Sequence, residues 1–63
     1  MKLSPQELKA VSLTAEGLTA KEVAHFMRIS TSAVNLYLGK ARTKMGVTNT
    51  YAVVAIAVRN QMI

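Results

Sequence analysis

Four segments with helical apolar spacing emerge along the chain, each opened by a polar residue suited to capping and two of them closed by glycine. "SPQE" opens the first: Ser4 fits the N-cap, Pro5 the first helical position and Glu7 the acid of a capping box. Leu8, Val11 and Ala15 follow at helical spacing, and Gly17 suits a left-handed stop, so a helix is expected over 5–16. "TAKE" repeats the signature, with Thr19 as cap and Glu22 as its reciprocal partner. Val23, Ala24 and Met27 form the stripe of a short helix over 20–27. Only Arg28 and Ile29 separate it from the next cap, Ser30. Two helices joined so tightly must turn sharply on each other, which predicts a helix-turn-helix unit. The third helix is expected over 31–45 with Gly46 as its stop, and the fourth over 50–61, capped by Asn49 or Thr48. No stretch alternates with period two over a useful length, so the predicted class is all-α, a small four-helix domain without a sheet.

On a helical wheel, Val34, Leu38, Ala41 and Met45 share a narrow core face of the third helix. Ser32, Leu36, Gly39 and Thr43 lie opposite. Asn35 and Arg42 occupy one shoulder, Lys40 and Lys44 the other, and Tyr37 sits at the edge of the core face. A solvated face has no need of the leucine, and a helix-interior glycine costs about 1 kcal/mol against alanine. A helix in the DNA major groove explains both. Leucine touches a thymine methyl, asparagine pairs with adenine, glycine permits close approach, and the flanking cations reach phosphates. The free amides of the helix start, with the hydroxyls of Ser30, Thr31 and Ser32, suit a phosphate. The competing reading makes Leu36 and Gly39 contacts to another protein helix.

The fourth helix, "TYAVVAIAVRNQM", is apolar nearly all round, with Tyr51, Val53, Val54, Ile56 and Val58 spread about the wheel. One stripe is expected on the first and third helices. The other, Val54 and Val58 with Ala55 between and Tyr51 beside them, is expected to meet a second copy.

Charge sharpens this picture. The net charge is +5. Up to residue 27 three lysines offset three glutamates, whereas Arg28, Lys40, Arg42, Lys44 and Arg59 face no acid in the rest of the chain. Such one-sidedness suits a polyanion, nucleic acid first. With 63 residues and no cysteine, stability must come from helix packing or association rather than disulfides. Lone His25 makes no metal site, and no nucleophile–base pair, paired carboxylates or phosphate-cradling glycine loop is present, so neither an enzyme nor a cofactor is expected. The longest apolar run, "YAVVAIAV", is too short to span a bilayer, and a soluble cytoplasmic chain is expected.

Nearly the whole chain resembles the LuxR/GerE-type helix-turn-helix domain. "LSPQE" resembles the family's opening L-T-x-R-E, "AEGLTAKEVAHFMRIS" resembles A-x-G-x-S-N-K-E-I-A-x-x-L-x-I-S, and "KMGVTN" resembles K-L-G-V-x-N. The resemblance implies sequence-specific binding of double-stranded DNA by a bacterial, nucleoid-associated transcription regulator, usually as a dimer formed through the fourth helix. It places Asn35, Leu36 and Gly39 at bases, and Thr19, Lys21 and the two ends of the third helix at the DNA backbone. It also implies a regulatory domain in a longer chain. Tyr37 stands where many members have histidine, Gln6 and Thr50 replace arginines, and Ala52 replaces a glutamate. These departures predict that apolar packing replaces a charged network around the fourth helix. Two other functions compete: a protein-interaction module that binds another regulator or RNA polymerase through the fourth helix or the Leu36 face, and an amphipathic binder of membrane surfaces. The second suffers from the single basic residue of that helix and its lack of a one-sided apolar face.

Overall fold

The computed structural model describes residues 2–63. Its elements are α1 (Pro5–Ala15), α2 (Ala20–Met27), α3 (Thr31–Met45) and α4 (Thr50–Arg59), with no strand among the described residues. The capping boxes form as the residues dictate. Ser4 Oγ accepts from the Glu7 amide at 3.2 Å while Glu7 Oε1 accepts from the Ser4 amide at 3.0 Å. Thr19 and Glu22 do the same at 3.2 and 2.8 Å. Ser30 and Asn49 cap α3 and α4 by accepting from the amides of Ala33 and Ala52, so Asn49 rather than Thr48 starts the last helix.

Both outer ends fall short of the expected limits. α1 stops at Ala15, not 16: the Glu16 amide already reaches back to the carbonyls of Ser12 and Leu13, and Gly17 turns the chain at φ 95°. α4 stops at Arg59, not 61, because Gln61 adopts a left-handed conformation at φ 57°. The Met62 amide then bonds the Ala57 carbonyl at 2.8 Å, and Met62 folds back against the core.

Each helix contributes one fully buried valine: Val11, Val23, Val34 and Val53. Ala10, Ala41 and Ala57 let the backbones approach, and Leu3, Leu13 and Leu38 close the core. Ala15, expected on the inner stripe of α1, is exposed, and Ala10 and Leu13 lie inside instead. α1 and α3 form the centre and pack on each other. α2 and α4 each pack on both of them and do not meet. The turn between α2 and α3 is made by Arg28 at φ 60°, a left-handed arginine where no glycine is available. It swings α3 across α2 and leaves the outer face of α3 uncovered.

Candidate nucleic-acid interface

The core side of α3 is as the wheel predicts. Val34, Leu38 and Ala41 are buried and Met45 is half-buried against them. The opposite side is bare: Ser32, Asn35, Leu36 and Thr43 are exposed, Leu36 at 56%. An open concavity of about 590 Å³ follows this side. It is lined by Asn35, Leu36, Gly39, Lys40, Arg42, Thr43 and Lys44, all expected from the sequence, and by Val47, which was not. Val47 is placed by the end of α3. Gly46 turns left-handed at φ 69°, and the Val47 amide bonds the Arg42 carbonyl at 3.0 Å. The glycine stop was the available signal for a hydrophobic residue folding back there.

The remaining candidates lie outside the concavity. Thr19 and Lys21 are exposed at the start of α2, and Ser30, Thr31 and Ser32 are exposed at the start of α3. The Ser30 hydroxyl accepts from Ala33, while the amides that begin the helix point outward without an acid in its first turn. Tyr37 is half-buried and packed against the core.

The cations differ in their surroundings. Lys40 is exposed and unpaired among the described residues. Lys44 is held: its Nζ donates to Glu7 Oε1 at 2.6 Å, the one ion pair among the described residues. Glu7 is buried, and the same oxygen also accepts from the Ser4 amide, so one carboxylate caps α1 and anchors the last turn of α3. The Lys44 hydrogen bond, then the Ser4 amide, hold the Glu7 carboxyl below its ordinary range, against the opposing effect of burial. Local pattern identified Glu7 only as a cap, since its partner lies 37 residues away. Arg42, half-buried, donates from Nη1 to Thr50 Oγ1 at 3.0 Å. A polar bond therefore joins α3 to α4 beside the apolar packing, with a neutral hydroxyl and no carboxylate as its acceptor. With Glu7 buried and paired, no unpaired carboxylate lines the concavity.

α4 has two sides. Val53 and Ala57 are buried, Val54 and Ile56 half-buried. Tyr51 is 88% exposed and Val58 56% exposed, with Ala55 also in the open. Tyr51, Val54, Ala55 and Val58 follow the spacing of a single helical stripe. No helix of the described residues is long and apolar enough to cross a membrane, and no group of metal-ligating side chains occurs among them.

A family model described as bacterial regulatory proteins, luxR family, matches residues 1–57. The transcriptional activator protein RaiR of Rhizobium etli is 47% identical over 49 residues, covering 78% of this chain and 20% of that protein. The crystal structure of the response regulator ChrA of a heme-sensing two-component system superposes with a TM-score of 0.91 at 27% identity. That match covers 100% of this chain and 31% of ChrA. The chain thus spans less than a third of either relative. The bare α3 behind a tight turn, the four-helix frame and the match along the sequence have one reading: this chain belongs to the LuxR family of bacterial regulatory proteins, as a helix-turn-helix domain of a transcription regulator.

Proposed function

We propose that this domain binds double-stranded DNA in a sequence-specific manner, with α3 in the major groove. The observation that carries the reading is the bare side of α3, where Asn35, Leu36 and Gly39 share a concavity with Lys40 and Arg42 and no unpaired carboxylate. Asn35 offers the amide that pairs with adenine N6 and N7, and Leu36 the apolar surface for a thymine methyl. Lys40, Lys21 and the open amides of Thr31 and Ser32 meet phosphates. Lys44 contributes less than its charge suggests, because Glu7 offsets it. The test is selection of a preferred duplex from a random pool, followed by Asn35→Ala. Loss of preference at one base step, worth ~1–3 kcal/mol, is expected. An unchanged preference would remove Asn35 from the readout.

The stripe of exposed Tyr51, Ala55 and Val58 with half-buried Val54 supports a homodimer on a two-fold site, formed by α4 against α4. The same stripe supports the competing reading, a protein-interaction module that reaches another regulator, RNA polymerase or a regulatory domain of a longer chain. That reading expects tight partner binding through α4 with weak DNA binding. DNA as the ligand places the site of action in the bacterial cytoplasm, on the nucleoid.

A further inference from the structure

We propose that Arg42 is a base-reading side chain of the DNA face and that Thr50, on α4, is the residue that positions it. The inference rests on the DNA-binding reading above and adds a residue pair to it.

Three observations converge on this pair. Side chains on a helix lean back toward the preceding turn, and one turn before Arg42 stands Gly39, which has no side chain to block the path. The Arg42 guanidinium fills that gap: its Nη2 lies 3.4 Å from where a Cβ on Gly39 would stand. From there it lines the same concavity as Asn35 and Leu36, two turns along the helix from Asn35. The second observation is the anchor. Nη1 donates to Thr50 Oγ1 at 3.0 Å, the only side-chain bond Arg42 makes among the described residues. The third is the chemistry of that anchor. A hydroxyl orients the guanidinium but does not neutralise it, and no carboxylate among the described residues pairs with Arg42. A guanidinium that served the fold alone gains most from a carboxylate. This one is half-buried and held in place, yet it keeps its charge and its other N–H donors for something outside.

Guanine O6 and N7 in the major groove match two parallel N–H donors of arginine. Holding the side chain beforehand reduces the freedom lost on binding. Seating of α4 on α3 therefore sets the aim of Arg42. If α4 also carries the contact to a second copy, dimerisation and readout share one hydrogen bond.

The test uses the full chain and two fluorescent duplexes, one selected from a random pool by the wild type and one of shuffled sequence. Arg42→Met should lower affinity for the selected duplex about tenfold, the scale of one lost arginine–guanine pair, with little change on the shuffled one. Thr50→Val and Thr50→Ala remove the acceptor and should each produce the same selective loss, about threefold. Thr50→Ser keeps the hydroxyl and should restore wild-type binding. Thr50→Val combined with Arg42→Met should be no weaker than Arg42→Met alone, because both act through one group. Circular dichroism identifies any variant that fails to fold, and Thr50→Ala, the better helix former, then stands in for valine. Wild-type affinity in both Thr50 variants would overturn the positioning role. Equal losses on both duplexes would make Arg42 a phosphate contact and overturn the base-reading role. Failure of the wild type to bind any duplex would refute DNA binding itself, and this inference with it.

Discussion

Gly39→Ala separates what the fold wants from what the DNA face wants. Gly39 sits mid-way along α3 at an ordinary helical conformation, not at a turn that demands glycine. A methyl there would meet only the far end of the Arg42 side chain, at 3.4 Å, which is ordinary contact. Alanine should therefore stabilise the helix by up to ~1 kcal/mol. For a domain of this size that corresponds to a rise of about 4–8 °C in Tm. Its effect on DNA binding should be opposite. The methyl stands between the helix and the groove floor, so affinity for the selected duplex should fall several-fold. Thermal melts followed by circular dichroism read the first quantity, and fluorescence anisotropy the second. A variant that is both more stable and as tight a binder would show that Gly39 is not at the DNA. A destabilised variant would refute the geometry around Arg42.

Lys44→Met leaves the Glu7 carboxylate without its partner. A charged hydrogen bond contributes ~1.5–3 kcal/mol, but with Lys44 40% exposed solvent screening reduces the expected loss to about 1 kcal/mol, measured by urea denaturation at neutral pH. The pair also sets an acid limit. Because the folded-state pKa of Glu7 lies below its ordinary 4.5, its contribution is complete above that value and is lost as pH falls through the lower folded value. Glu7→Gln should flatten that part of the stability profile. Val58→Lys, at a 56% exposed position, should leave the melt within ~0.5 kcal/mol and abolish self-association in analytical ultracentrifugation; an unchanged dimer would place the interface elsewhere. Arg28→Gly relieves a left-handed arginine at φ 60°, and after glycine's own entropy cost should still stabilise the fold by ~0.5 kcal/mol in the same denaturation assay.

The helix starts were legible because capping is local: an acceptor and, twice, an acid three residues on identify them without knowledge of the fold. The bare and buried sides of α3 were legible for a similar reason, since a wheel needs only spacing. What escaped the sequence depends on chain segments far apart or on costly backbone conformations. Gln61 turns left-handed without being glycine, so the end of α4 carried no marker; the turn before α3 was legible from the two-residue gap, but the left-handed Arg28 that makes it was not. The Glu7–Lys44 pair spans 37 residues, and each partner already had a plausible local role. The bond from Arg42 to Thr50 depends on how α4 docks, which composition does not reveal. For α4, apolar nearly all round, only packing decides that Val53 and Ala57 turn inward while Tyr51 and Val58 remain outside.

If α3 presents a cationic face to DNA, a salt titration will show it. Anisotropy of a labelled mixed-sequence duplex is measured across a salt series for the wild type and for Lys40→Ala. Each neutralised phosphate contributes a slope of roughly 0.9 in log affinity against log salt. Micromolar binding at low salt that weakens steeply as salt rises is expected, with a slope shallower by about 1 in the variant. Binding absent at low salt, or indifferent to salt and to Lys40, would contradict a cationic DNA face on α3 and leave the exposed stripe of α4 as the working surface.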